Sequence, residues 1–419
     1  MKYYHSHVII QERCKGTLNC LRECPTKALR YRNEKIIFYD DLCVDCGSCI
    51  NSCPENVFLP VIDELADFDK FEYKIVVPSH TLYTQFGANI HPGLIHKALL
   101  SLGFDAVHEI SKHAHELSYV VSESLKSETL KKPIISNFCP AVIRLIQVSY
   151  PNLVDLVSPF DVSRELAAKE AKLLYSRKLG LPLNKIGVIF ISPCPAMIVS
   201  IKQPAEKEKS WIDGAIAISD IYNRILPRII ELKNEKNEQA NQEFFYYGKS
   251  WGQLGFILRY LDPDNTISVA GIDNIKMILD DIEDSRLKNV DYIEAFICPQ
   301  GCIGGTYCVE NPYISRHTAI MLEKRFGYPP EVDSVEINKK IENNYYKLDE
   351  KMVPRKTRLM ESDISTSIKK MKQKERILTK LPNKNCGICG APTCETFAED
   401  CAWGDADLTD CIFLRTGTH

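Results

Sequence analysis

The chain has 419 residues and 45% hydrophobic content, enough for two or three packed domains and too apolar for a disordered or fibrous protein. Its net charge of −3 gives no basic field for nucleic acid, and its 17 cysteines, gathered in short spacings, point to metal ligands rather than disulfides, and so to a reducing compartment. The N-terminus lacks a charged start followed by an apolar core, and nowhere do about 18 consecutive apolar residues occur, so we expect no signal peptide, no membrane span and a cytoplasmic protein.

Residues 14–54 resemble a two-cluster bacterial ferredoxin. Cys43-Val-Asp-Cys46-Gly-Ser-Cys49-Ile-Asn-Ser-Cys53-Pro54 fits the C-x2-C-x2-C-x3-C-P run in full. In the first half Cys14, Cys20, Cys24 and Pro25 are in register, but Thr17 stands at the second ligand position. The fourth cysteine of each run serves the other cluster in such folds, so Cys24, Cys43, Cys46 and Cys49 make one complete [4Fe–4S] set. Cys14, Cys20 and Cys53 form the other, one thiolate short: a [3Fe–4S] centre, a [4Fe–4S] centre with a labile iron, or an empty site.

After a loop over 60–69, Tyr73–Val77 reads as a buried strand closed by Pro78 and Ser79, and Gly93–Leu100 as a helix that stops at Gly103. Pro133–Phe138 is a strand that runs into Cys139-Pro140. A helix follows Asp161, with Val162, Leu166, Leu173 and Leu174 on one side and Gly180 as its stop. The spacing of His108, His113 and His115 fits no metal site, and these histidines are expected to be solvated or in the core. Lys185–Ile191 is a strand that passes through Ser192-Pro193 into Cys194-Pro195. The polar run from Lys233 to Glu243 is expected to be a surface connection. Tyr292–Ile297 is a last strand, ending in Cys298-Pro-Gln-Gly-Cys302-Ile-Gly304-Gly305.

Alternation of strand and helix implies an α/β fold with parallel sheets and helices on their faces. Parallel strands present their carboxyl ends to one crevice, so Cys139, Cys194, Cys298 and Cys302 should converge there, a set of thiolates suited to an iron–sulfur cube. From Met352 to Leu381 the chain turns basic and polar, with Ile364, Ile368, Met371 and Leu378 at helical spacing, as in a docking helix or linker. Cys386-Gly-Ile-Cys389-Gly-Ala-Pro-Thr-Cys394 follows. It resembles the four-cysteine [4Fe–4S] domain of corrinoid iron–sulfur proteins and membrane-complex electron carriers, with Cys411 as the natural fourth ligand and Cys401 as its rival.

Phe138-Cys139-Pro140, Ser192-Pro-Cys194-Pro-Ala-Met197 and Cys298-Pro-Gln-Gly-Cys302-Ile-Gly-Gly305 together resemble the three cysteine segments of the [FeFe]-hydrogenase large subunit. That resemblance implies two α/β lobes with parallel sheets, preceded by a ferredoxin-like domain and followed by a small helical iron–sulfur domain. The expected boundaries are 1–60, 70–350, a helical linker over 351–380, and 381–419. The resemblance further implies an H-cluster, in which the four cysteines hold a [4Fe–4S] cube and Cys302 bridges to a two-iron centre with CO, cyanide and dithiolate ligands. Pro78, Ser79, Ser192, Pro193, Phe296, Gly304 and Gly305 would surround it.

Family members interconvert H2 with protons and electrons: the distal iron polarises H2 and a bridgehead amine takes the proton. Vigorous ones carry a proton-donor cysteine where this chain has Phe138, and a lysine that bonds an iron-bound cyanide where it has Met197. They also carry methionines at positions occupied here by Ser192 and Phe296. The domain order is similar to that of the sensory [FeFe]-hydrogenases, which implies a slow, H2-sensing enzyme. A ferredoxin-linked metabolic hydrogenase and an electron-transfer protein without the two-iron centre remain as alternatives. Implied partners are H2 and protons, a redox partner such as ferredoxin or a signalling protein, and the hydrogenase maturation proteins, with a homodimer left open.

Overall fold

The computed structural model describes residues 3–126, 130–234, 252–327, 333–358 and 363–415, so all but the first two residues of the polar run from Lys233 to Glu243 lie outside the described residues. The N-terminal unit is a pair of interleaved repeats. β1 (His7–Ile9) pairs antiparallel with β4 (Phe58–Pro60), and β2 (Leu29–Arg32) with β3 (Lys35–Phe38). Asn33 and Glu34 turn the second hairpin with φ of 51° and 59°, the double left-handed geometry that matches strand twist. The short helices α1 (Asn19–Glu23) and α2 (Ser48–Ser52) pack with Leu21, Leu29, Ile36, Val57 and Phe58 into a small core.

The middle of the chain builds two parallel sheets. The first has the order β6-β5-β8-β9, from β5 (Tyr73–Pro78), β6 (Ala106–Val107), β8 (Ile186–Ser192) and β9 (Gly214–Ala217). Every residue of β8 is buried, because both faces of the sheet are covered and leave no polar side for alternation. Val76, Ile189 and Ile191 face α3 (Pro92–Leu100) and α8 (Ile218–Asn234). Ile75, Val77, Val188 and Phe190 face the opposite core. There α6 (Ser163–Leu179) approaches closely through Ala167, Ala168 and Ala171, whose small side chains permit it. Leu174, expected on the apolar side of that helix, is 48% exposed.

The second sheet has the order β10-β11-β7, from β7 (Ile134–Ile135), β10 (Thr266–Ala270) and β11 (Tyr292–Phe296). β7 is far shorter than the strand expected over Pro133–Phe138. The ladder ends at Ile135 because the Ser136 hydroxyl accepts the Ala295 N–H at 3.0 Å, replacing the next strand contact. The remaining helices of this region are α4 (Ser111–Leu125), α5 (Pro140–Ser149), α7 (Pro195–Lys202), α9 (Ile272–Glu283), α10 (Pro312–Phe326) and α11 (Ser334–Glu342). Among the described residues no helix is long and apolar enough to cross a membrane.

Among the described residues, the expected linker is helical only in α12 (Ile364–Leu378). Residues 352–358 have no regular structure, as Pro354 disfavours helix on its N-terminal side. They lie back against the rest of the protein, with Arg355 Nη1 donating to Cys43 O at 2.7 Å. α12 joins α13 (Cys394–Trp403) and α14 (Ile412–Arg415) around Ile377, Leu381, Phe397 and Cys411. Ile368 and Met371, two of the apolar positions expected to dock, are instead exposed.

The C-terminal unit is locked onto β2. Arg30 donates to both Asp400 oxygens at 2.6 and 2.9 Å with each side chain 1% exposed, and Tyr31 N–H donates to Gly390 O at 2.8 Å. Gly390 has φ +81°, and a Cβ there would lie 1.7 Å from Tyr31 O. Removing one partner of a buried pair leaves an uncompensated charge, so Asp400→Ala should destabilise the docked unit by about 3–5 kcal/mol. Chemical denaturation should then show an earlier transition, together with faster proteolysis after residue 358.

Candidate metal centres

The two sheets deliver their carboxyl ends to one crevice, and three of the strands, β7, β8 and β11, run on into thiols there. Cys139 is the N-cap residue of α5 and Cys194 that of α7, and in both cases proline follows at the first helical position, where a missing N–H costs nothing. The sulfurs therefore face backbone donors: Ala141, Val142 and Ile297 around Cys139, and Ala196 and Met197 around Cys194. β11 leads into Cys298, a turn at Gly301, and the 3₁₀ segment Cys302–Gly304. Gly301 has φ +88° and would place a Cβ 2.4 Å from Gly252 O, so only glycine allows the turn that returns Cys302 to the crevice.

The four thiols neighbour one another closely enough for their charges to interact. Burial first, then the neighbouring thiols, pushes Cys194 up to about 12 and Cys298 and Cys302 well above the usual thiol range. Cys139 is raised by burial, against the pull of the N–H donors. Four thiolates in so dry a site need a cationic cluster between them. A fifth thiol, Cys308, lies 3.5 Å from Cys302 O and is also raised by burial.

A cavity opens beside Cys302. Of the residues expected there, Ser79, Phe138, Pro193, Met197 and Cys302 line it. Pro78 is instead paired with Ile191 in the sheet, and Ser192 Oγ donates to Cys194 O at 2.9 Å, bracing the thiol-bearing turn. Phe296 stands behind Phe138, the rings edge to face with centroids 5.7 Å apart. Gly304 and Gly305 abut Pro299 O and Pro193 O, where any Cβ would collide.

Sequence reasoning missed Thr81, Ser163, Arg164 and Gly252, which line it together with His80, Ile110 and Phe190. One signal was available: Arg164 stands in the first turn of a helix, where the macrodipole disfavours a cation. Ser79 Oγ, Ser163 Oγ and Arg164 Nε and Nη1 are buried without hydrogen-bond partners among the described residues. A cavity bordered by unused donors fits a group that presents anionic acceptors, as iron-bound cyanide does.

In the N-terminal unit Cys24, Cys43, Cys46 and Cys49 border one cavity. Cys20 has Cys53 and Cys14 as charged neighbours and is pushed up to about 12, chiefly by burial. The two repeats match in detail: Ala28 N–H donates to Cys24 Sγ at 3.2 Å, and Val57 N–H to Cys53 Sγ at 3.5 Å. Thr17, at the position of the absent cysteine, is exposed. Cys49 neighbours Cys20 of the other set, and Cys298 neighbours Cys46. Gly47 packs so tightly that a Cβ would lie 2.1 Å from Thr306 Oγ1 and 3.2 Å from Pro195.

At the C-terminal end Cys386, Cys389, Cys394 and Cys411 border a third cavity. Cys401, on the outer part of α13, does not border it and is pushed up to about 12 by burial and Asp400. Gly387 approaches Leu18, two residues from Cys20, with 3.8 Å from its would-be Cβ to Leu18 Cδ1.

His113 and His115 are in the core, and His115 Nδ1 lies 3.1 Å from Tyr260 Oη. The fold brings His108 and His113 to Glu170, with donor atoms within 4.8 Å of one another, a grouping invisible in local spacing. Lys112 Nζ, 3.5 Å from Glu170 Oε2, already supplies that carboxylate with a cation.

Residues 73–258 and 257–306 match the family described as "Iron only hydrogenase large subunit, C-terminal domain". Residues 6–54 match "4Fe-4S dicluster domain", and 381–413 match an Fe-S cluster family. The chain is similar to the NADP-reducing hydrogenase subunit HndD of Solidesulfovibrio fructosivorans, with 23% identity over 328 residues. The matched region is 64% of this chain and 56% of that one, so the chain spans just over half the length of that curated relative. Among solved structures it is similar to an [FeFe]-hydrogenase studied for oxygen inactivation of its H cluster, with 15% identity and a TM-score of 0.48, covering 70% of this chain and 95% of that one. A variant of [FeFe]-hydrogenase HydA1 from Chlamydomonas reinhardtii has 16% identity and a TM-score of 0.45, with 67% and 92% covered.

Proposed function

The chain belongs to the iron-only hydrogenase large-subunit family, and from that membership we propose an oxidoreductase that exchanges electrons between H2 and protons at a two-part centre on Cys139, Cys194, Cys298 and Cys302. The observation that carries this is the meeting of four buried thiols with a donor-bordered cavity beside Cys302. When bound, an iron–sulfur cube and a two-iron centre with CO, cyanide and dithiolate ligands would supply heterolytic cleavage of H2 and take up its electrons. The protein's part is to hold, shield and tune that group and to move protons. Cys302 would help to hold the group, Ser79 offers a hydroxyl donor, and Phe138, Met197 and Pro193 keep water from the wall.

Phe138 has no proton to give, so proton delivery limits turnover and the enzyme is slow. Slow turnover, the missing donor and the order of the three iron–sulfur units support H2 sensing over bulk metabolism. The contact order supports an electron route from the Cys386/Cys389/Cys394/Cys411 set, past Leu18 to the three-thiol set, then to Cys24/Cys43/Cys46/Cys49 and Cys298. The outer end would meet a ferredoxin-like or signalling partner, and maturation proteins would install the two-iron centre.

Apo-protein reconstituted with iron, sulfide and a synthetic two-iron precursor should display infrared bands of iron-bound CO and cyanide. A verified cube without those bands would leave an electron-transfer protein instead. The three-thiol set should be three-iron or substoichiometric, giving an EPR signal in the oxidised protein and an iron count below that of four complete cubes and one two-iron centre. Three stable four-iron clusters outside the two-part centre, with no three-iron signal, would mean that another side chain replaces the absent cysteine.

Wild-type H2 evolution from reduced methyl viologen should be low. A positioned acid typically contributes about 10²–10⁴-fold, so Phe138→Cys should raise the rate at equal two-iron occupancy by less than that full range, since Phe296 loses its packing partner. A high wild-type rate that the substitution leaves unchanged or lowers would place the proton route elsewhere.

A further inference from the structure

The cavity wall holds a guanidinium with no counter-ion among the described residues. Arg164 is 4% exposed; its Nη2 donates to Ser200 Oγ at 3.0 Å, while Nε and Nη1 have no acceptor. The acids on either side of it in the chain are committed elsewhere. Asp161 receives Lys207 Nζ at 2.6 Å, and Glu165 receives Ser210 Oγ at 2.6 Å and Trp211 N–H at 2.9 Å, with Lys207 3.6 Å away. A permanently charged side chain buried without a partner is costly, and its position here compounds the cost.

Arg164 is the second residue of the 17-residue helix α6, whose N-terminus no side chain caps. The helix dipole and free N–H groups therefore add positive potential at the point where the guanidinium sits. Ser163 Oγ, beside it, is also without a partner, and both residues border the cavity with Cys302, Phe138 and Met197. Three independent features, namely an orphaned guanidinium, an orphaned hydroxyl and an uncapped helix start, thus demand an anion in the same place.

We propose that Arg164, with Ser163 and the first turn of α6, anchors a cyanide ligand of the two-iron centre, a task for which the apolar Met197 offers no donor. This rests on the function proposed above. The planar fork of arginine can bond Ser200 with one nitrogen, fixing its plane, and leave Nε and Nη1 available to an acceptor.

The test uses the full chain with its cube reconstituted and loaded with the synthetic two-iron precursor. In Arg164→Leu at least one cyanide stretching band should shift, and the two-iron centre should be lost about 10- to 100-fold faster on dilution, the range that a charge-assisted hydrogen bond supports. The cube's iron count should not change. Adding Met197→Lys to that variant should restore retention, which a merely structural role for Arg164 would not predict. Cyanide bands and retention identical to wild type would overturn the proposal. If Arg164→Leu cannot hold the cube, Arg164→Lys decides: shifted cyanide bands support the anchor and unshifted bands overturn it. Absence of CO and cyanide bands from wild type with a full cube would reject the hydrogenase function itself, and the anchor with it.

Discussion

Four thiols buried in one dry crevice set the terms for the rest of the fold. Burial opposes their ionisation, and backbone N–H groups around Cys139 and Cys194 act against it. Proline after Cys139 and Cys194 starts a helix immediately, which turns the first free N–H groups toward sulfur. Glycines at 301 and 305 admit the backbone approaches that return Cys302 to its partners. Parallel sheets follow from the same need, since only parallel strands deliver several chain ends to one edge.

The N-terminal thiol sets are tied to this crevice by one close approach and one side-chain contact. Gly47 seats the Cys46 loop against Thr306 and Pro195, and Arg355 fixes the Cys43 carbonyl. At the far end, Arg30 and Asp400 exclude water from the joint between β2 and α13. Their worth lies in fixing one orientation, because a buried ion pair adds little net stability once desolvation is counted. Electron transfer depends steeply on separation, so rigid seating of each unit matters more than the strength of any single joint.

What could be read from the sequence was local. The spacing of Cys43, Cys46, Cys49 and Cys53 is a property of consecutive residues, and each strand end announces its cysteine. What could not be read depends on partners far apart in the chain. β7 is cut short by Ser136 reaching Ala295, and α12 turns Ile377 rather than Met371 inward because α13 lies on that side. His108 and His113 meet a glutamate more than fifty residues further on. The isolation of Arg164 likewise depends on distant partners, since Lys207 takes Asp161 while Ser210 and Trp211 take Glu165. The departures at Phe138 and Met197 were visible as sequence, yet the group that stands in the gap beside Met197 became visible only in three dimensions.

The interleaving of the N-terminal repeats has a further consequence. Cys24 belongs by chain position to the first repeat but borders the cavity of the second, while Cys53 belongs to the second but neighbours Cys20 and Cys14. Neither repeat therefore owns a complete site. With Thr17 where a thiol would stand, the weakened half still cannot be deleted as surplus, since that would also strip Cys24 from the intact set. Crossed ownership of this kind makes a duplication irreversible: a defect in one copy must be tolerated or repaired in place, because the copies can no longer be separated.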